Sequence, residues 1–293
     1  MVIKTKAPAK INLTLEVVQK LDNGFHELRS VALKLENIYD EVEVSFLEKG
    51  NDVLIMTDSK NIPIDERNIC YKAAKRYLQE IGNIGTVEIR LKKKIPVGAG
   101  MGGGSSDAAE VFKSLNKICG QVLSEDQLIK ISAEIGKDIP IFIAEKNCVL
   151  MEGMGEKITQ KNYSRQVYFL IINPKLHITT KDAYQKLSEL LWFCDDKNRV
   201  NISQEMFVGL DDMENSREVI VMNLYNDFEI FAERKYPIIK EIKQALLAFG
   251  ADNSLMTGSG STVFGIFSEE ANAKKAKTIL AEKYPEFFIE ISR

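Results

Sequence analysis

The sequence predicts an α+β fold in two domains, on three observations. Alternating polar and apolar residues dominate the start of the chain, a glycine-rich loop at 98–104 runs into a helix, and the order of elements changes after Ile158. The length of 293 residues suits two domains, although length alone also permits one large one.

The first domain is expected over residues 1–158. Ile11, Leu13, Leu15 and Val17 alternate with Lys10, Asn12, Thr14 and Glu16, which reads as a strand with one apolar and one solvated face. Asp22-Asn23-Gly24 supplies a turn, and Val31/Leu33/Leu35, Val42/Val44/Phe46 and Val53/Ile55 keep the period of two, implying antiparallel pairing. A helix over 69–79 and a strand through Val87, Ile89 and Leu91 lead to the glycines. Beyond them Ala108, Ala109, Val111, Phe112, Leu115 and Cys119 share one helical face, with Ser105 or Ser106 as N-cap and Gly120 at C′. Ser124 and Gln127 mark a second capped helix running to Gly136.

The second domain is expected over 159–293. It reads as a strand (167–172), a helix (180–192), a long helical region interrupted near Pro237 (227–249), a hairpin (254–257 and 262–267), a helix (269–283) and a last strand (287–291). With one extra helix allowed, this is the β-α-β-β-α-β order of a ferredoxin-like domain. Residues 211–217 read as an exposed loop.

Composition narrows the function. Hydrophobic residues at 45% and charged residues at 28% are ordinary for a soluble globular protein, and 39 Lys+Arg against 42 Asp+Glu leave a net charge of −3. There is no basic surplus for a nucleic-acid backbone or an anionic membrane. The start lacks an apolar run resembling a signal peptide, and no segment has the length of a membrane span, so a cytoplasmic protein is expected. Cys70, Cys119, Cys148 and Cys194 form no CxxC pair and read as buried free thiols.

Gly98 to Gly103 satisfy GxGxxG, but the preceding strand alternates with charges, unlike the buried parallel strand before a dinucleotide loop. A Walker A loop needs Gly-Lys-Ser/Thr, whereas Gly104 runs directly into Ser105. What remains is still a phosphate cradle: successive glycine amides turn toward one point, and the helix N-terminus adds orphan N–H groups and partial positive charge.

Pro96 to Ala109, PVGAGMGGGSSDAA, resembles the ATP loop of the GHMP kinases, the family of galactokinase, homoserine kinase and mevalonate kinase. APAKINLTL, NGFHEL, GKDIP, GMGEKI, INPKLHITTKDAY, NDFE and MTGSGSTVFGIF extend the resemblance from end to end, in the family's order. It implies a two-domain kinase, with a first domain like domain 2 of ribosomal protein S5, a ferredoxin-like second domain and the site in the cleft between them. The further segments resemble the branch that phosphorylates the 2-hydroxyl of a cytidine diphosphate ester of methylerythritol in non-mevalonate isoprenoid synthesis. The alternatives are another small-molecule kinase of the family, or a non-catalytic ligand sensor, against which the retention of both Lys10 and Asp138 speaks.

Such a transfer needs cradled phosphates, a metal ion and an acceptor for the hydroxyl proton. Alone, Asp138 reads as a turn or capping residue and Lys10 as part of a solvated face; the resemblance makes Asp138 the base and sets Lys10 beside it. Asn12, two residues on, shares the face of Lys10 and would reach the same cleft. The resemblance implies that ATP lies along Pro96, Val97, Gly98, Ala99, Gly100, Met101, Gly102, Gly103, Gly104, Ser105 and Ser106. Asn68, otherwise a plain N-cap, would contact the adenosine. His26 would recognise cytosine, with Phe25 and Tyr184 as pocket partners and Thr180 nearby. His177 is left structural. Other family members hold Mg²⁺ with a loop serine and a glutamate; here Gln127 stands in that neighbourhood, so the metal is expected to lean on Ser106, phosphates and water.

Overall fold

The computed structural model describes residues 1–22, 24, 26–164, 167–179, 182–184, 186, 201–212 and 215–293. The first sheet is built around β3, His26–Leu47, a single long strand where the sequence suggested two separate ones. β3 pairs antiparallel with β1 (Val2–Asn12), β2 (Thr14–Lys20), β5 (Thr86–Lys92) and β6 (Cys148–Gly153). β4 (Val53–Thr57) lies parallel to β5, and β7 (Lys157–Lys161) pairs with β6. Since β7 belongs to this sheet, the first unit extends past residue 158.

Helices cover one face of the sheet. α1 (Ile69–Ile81) buries Cys70, Ala73, Ala74, Tyr77 and Leu78, and α2 (Gly103–Ile118) buries the apolar face predicted for it. The N-cap of α2 is Gly102 in the left-handed region, not Ser105 or Ser106, which fall inside the first turn. Successive glycines can take that conformation and start the helix earlier than a serine cap would. α3 (Glu125–Ala133) carries the expected capping box of Ser124 and Gln127 and ends short of Gly136; α4 (Ile139–Ile143) follows.

The polar face of β1 and β2 is not solvated. Lys10 (2%), Asn12 (1%), Thr14 (0%) and Glu16 (2%) are all buried, because the second half of the chain covers them. In α5 (Ile202–Gly209), Ser203 shares a 2.8 Å hydrogen bond with the Thr14 hydroxyl, and its amide donates to Glu16 Oε2 at 2.8 Å. The alternation was correct; the partner of the polar face lay 187 residues away.

The second sheet contains β8 (Tyr168–Asn173), β10 (Asn253–Met256), β11 (Val263–Phe267) and β12 (Phe288–Ser292) in the order β10-β11-β8-β12, all antiparallel. This is the ferredoxin-like arrangement. The expected helix 180–192 lies mostly outside the described residues, of which 182–184 and 186 are helical. Where the sequence suggested an exposed loop over 211–217, α6 (Ser216–Asn223) already begins, with Ser216 buried. The break near Pro237 separates α7 (Glu229–Lys235) from α8 (Pro237–Ala248), whose first turn accepts proline because the N–H that proline lacks would have no intrahelical partner there. α9 (Glu270–Lys283) precedes β12. β9, Tyr225–Asn226, departs from a clean division: it pairs in parallel with β2 and gives the first sheet a strand from the second half of the chain. Cys70 and Cys148 are buried free thiols, Cys119 is half-buried, and Cys194 lies outside the described residues.

Candidate active site

The glycine loop lies between the two halves. Gly98, Gly100 and Gly102 have φ of 69°, 76° and 71°, each in the left-handed region. A Cβ on Gly100 would stand 2.4 Å from the Thr257 carbonyl oxygen, and one on Gly258 would stand 2.8 Å from the Gly100 carbonyl oxygen. The glycine loop of the first domain and the glycine turn between β10 and β11 therefore meet backbone to backbone. The first intrahelical bond of α2 runs from Ser106 N to Gly102 O at 2.9 Å, so the amides of Gly103, Gly104 and Ser105 precede it as open donors.

Lys10 lies under this loop. Its amide donates to Met101 O at 3.0 Å, tying the loop to β1. Its ammonium donates to Asn12 Oδ1 at 2.5 Å and to Gly100 O at 2.9 Å, and stands 3.5 Å from Asp138 Oδ2. Two of its N–H groups thus meet neutral oxygens, and the Asp138 carboxylate faces it as a charge partner. Asp138 occupies the N-cap position of α4, yet its side chain caps nothing and turns to the cleft, 36% exposed. Asn12 donates from Nδ2 to Ser30 Oγ at 2.8 Å and lines the cleft beside the lysine it holds.

These groups line a cleft of about 580 Å³. The glycine loop, Asn68 and Lys93 line it, as do Leu28, Met151, Tyr184 and Phe228. Asn68 caps α1, accepting from Cys70 N at 2.8 Å, and donates to Pro63 O at 2.7 Å, so both amide ends hold the cleft wall. His26 stacks on Tyr184 with ring centroids 5.0 Å apart, and Tyr184 meets Phe228 edge-on at 4.9 Å. Burial, with Lys20 nearby, lowers the His26 pKa below its ordinary value, and burial followed by the charge of Asp138 raises that of the Tyr184 phenol. Phe25 and Thr180 lie outside the described residues.

Three features escaped the sequence reading. Lys93 bridges Asp40 and Asp107, and all three side chains are at most 7% exposed. Asp40 also accepts from Ile95 N at 2.8 Å, so this buried bridge ties the strand before the glycines to the helix after them. Burial, despite Lys93, pushes Asp107 up to about 7. The second feature is Thr257, buried inside the lysine network from the other domain. The third is His177, whose Nδ1 would lie 2.4 Å from a Cβ on Gly98, placing its ring against the loop in the cleft wall. Thr257 and His177 both lay in segments already noticed, MTGSGSTVFGIF and INPKLHITTKDAY, but neither segment says what its residue touches, and a run of three lysines carries no pattern that singles out Lys93.

For a metal ion, the first turn of α2 offers two buried oxygens without a hydrogen-bond partner, Ser106 Oγ and Asp107 Oδ1. Asp107 and Ser105 line the cleft at that turn, while Ser106 is wholly buried. Oxygen donors of this kind suit Mg²⁺.

Residues 68–146 match the GHMP kinases N terminal domain and residues 206–286 the GHMP kinases C terminal domain. The 4-diphosphocytidyl-2-C-methyl-D-erythritol kinase of Caldicellulosiruptor bescii is 38% identical over 289 residues, 99% of this chain and 96% of the relative. That of Clostridium botulinum (strain Langeland) is 36% identical over 287 residues, covering 97% and 98%. A crystal structure of 4-(cytidine 5′-diphospho)-2C-methyl-D-erythritol kinase superposes with a TM-score of 0.75 at 26% identity, covering 99% of this chain and 98% of that one. A homoserine kinase from Cytophaga hutchinsonii shares the fold, with a TM-score of 0.76 at 20% identity, over 100% of this chain and 94% of its own. The chain belongs to the GHMP kinases, and within them to the 4-diphosphocytidyl-2-C-methyl-D-erythritol kinase family. Among the described residues no helix is long and apolar enough to cross a membrane.

Proposed function

We infer that the protein transfers the γ-phosphoryl group of ATP to the 2-hydroxyl of 4-diphosphocytidyl-2-C-methyl-D-erythritol, a step in non-mevalonate isoprenoid precursor synthesis. The observation that carries the reaction type is the Lys10–Asp138 pair, 3.5 Å apart in a cleft lined by the glycine loop and by Tyr184, on which His26 stacks. Asp138 accepts the hydroxyl proton as the phosphoryl group departs from ADP through a loose transition state. Lys10, fixed by Asn12 and Gly100, stabilises the developing alkoxide and balances the carboxylate.

The triphosphate lies along Pro96 to Ser106, meeting the open amides of Gly103, Gly104 and Ser105, and Asn68 shapes the adenosine end. Ser106 and Asp107 are the residues that would hold Mg²⁺, which when bound with ATP neutralises charge on the phosphates. His26, whose pKa burial and the nearby Lys20 lower, meets the cytosine together with Tyr184, on which its ring stacks. Phe25 and Thr180 join this pocket on the strength of the family resemblance. The site takes small molecules and acts in the cytoplasm.

An ADP-release assay tests this with the cytidine ester, 2-C-methylerythritol 4-phosphate, homoserine and mevalonate as acceptors. Turnover is expected with the cytidine ester and little with the rest. Equal use of the first two removes cytosine recognition from the proposal.

A further inference from the structure

Thr257 belongs to the second domain, yet its hydroxyl completes the network around the lysine of the first. Asn12 N donates to Thr257 Oγ1 at 2.9 Å, and that hydroxyl in turn donates to Asn12 Oδ1 at 3.1 Å. Asn12 Oδ1 is the same atom that receives the Lys10 ammonium at 2.5 Å. At the other end of the amide, Nδ2 donates to Ser30 Oγ at 2.8 Å, whose proton goes to Thr14 O at 2.6 Å. The amide of Asn12 is therefore oriented from both ends, and the Thr257 hydroxyl also reaches, at 3.5 Å, the Gly100 carbonyl that accepts from Lys10. A flipped amide would point NH₂ at both the ammonium and the Thr257 hydroxyl proton, placing donors against donors in a site where Lys10, Asn12, Ser30 and Thr257 are all at most 2% exposed.

The mount of Thr257 is equally determined. Asn226 Nδ2 donates to the carbonyls on both sides of it, Met256 O at 2.6 Å and Gly258 O at 2.9 Å. Thr257 N donates to Thr262 O at 2.9 Å, and Gly260 N to Thr257 O at 3.1 Å. Asn226 is itself paired with Leu15 of the first sheet. The turn is held to the strand that leads from Lys10, so the hydroxyl is delivered to Asn12 at a fixed place.

We propose that Thr257 is a positioning residue for the phosphoryl transfer, orienting Asn12 and through it the Lys10 ammonium against Asp138; the proposal rests on the reading of Lys10 and Asp138 above. Valine copies the shape of threonine without the hydroxyl, and serine keeps the hydroxyl. Thr257→Val is expected to lower kcat by about 10-fold to 100-fold, the scale of a small misplacement of a catalytic group, with both KM values within about twofold of the parent. Thr257→Ser is expected to hold kcat within about threefold of the parent.

A merely structural role would instead lower the melting temperature while leaving kcat per folded enzyme unchanged. A Thr257→Val kcat within about twofold of the parent, or a loss confined to the KM for ATP, overturns the proposal. If circular dichroism shows that Thr257→Val does not fold, Thr257→Ala is judged by the same criteria. Lys10→Met separates the two levels. If Lys10→Met turns over like the parent, the reading of the lysine has failed. If Lys10→Met is inactive while Thr257→Val matches the parent, the positioning role alone has failed.

Discussion

Lys10 and Asp138 face each other at 3.5 Å with unequal access to solvent, the ammonium 2% exposed and the carboxylate 36% exposed. The cation is a fixed part of the cleft wall, and the carboxylate is the member that an incoming hydroxyl can meet. Asp138→Asn keeps the volume but removes both the proton acceptor and the charge opposite Lys10. Turnover should fall about 10²–10⁴-fold while ATP binding, measured by titration, changes little. A near-parent rate would remove Asp138 from the role of base.

Gly102 links the cradle to the lysine. With φ of 71°, an added Cβ would lie 2.8 Å from Phe142 Cζ and 3.2 Å from Lys10 Cε. Gly102→Ala therefore strains the backbone, at about 1–2 kcal/mol, and crowds the Lys10 side chain. Weaker ATP binding and lower kcat are both expected, with circular dichroism unchanged. A variant that loses neither separates the loop from the chemistry.

His26 tests the acceptor. If its imidazole satisfies the cytosine edge, His26→Ala leaves polar groups of the base without a partner, a loss of about 1–3 kcal/mol in kcat/KM for the cytidine ester. ATP affinity should stay near that of the parent. Slow turnover of 2-C-methylerythritol 4-phosphate, which lacks the nucleotide, should be little affected by the same change.

Asp107 gives a pH signature for stability. Burial raises its pKa in the folded state to about 7, so the folded protein binds this proton more tightly than the unfolded chain. The contribution of this group to stability is largest below the ordinary carboxylate range and declines as pH rises toward 7. Subtracting the melting temperature of Asp107→Asn from that of the parent should give a difference that shrinks from pH 4 to pH 7. A difference that grows with pH would show that Lys93 outweighs burial.

The strand and helix patterns were legible because each rests on neighbours in sequence. Glycines 98–104 could be read as an anion cradle, and Ser124 with Gln127 formed the capping box that their spacing implies. The polar face of β1 and β2 misled because alternation records which residues differ, not what covers them; Ser203 of α5 does so here. Serine caps were expected before α2 by residue preference, but positive φ at Gly102 moved the start of the helix. Lys93 and Thr257 were opaque for one reason: each acts through partners brought near by the fold, Asp40 in one case and Asn12, 245 residues away, in the other.

The pairing of β9 with β2 bears on how such enzymes can be recombined. Tyr225 N donates to Leu13 O at 3.2 Å, Asp227 N to Leu15 O at 3.0 Å, and Val17 N to Asp227 Oδ2 at 2.7 Å. A chimera joined after β7 would take the second half of one parent and graft these residues onto the β2 edge of another. Two of these bonds are main-chain and survive any sequence that keeps the strand, so at this edge the Asp227 carboxylate on Val17 N is the contact that the two parents must share.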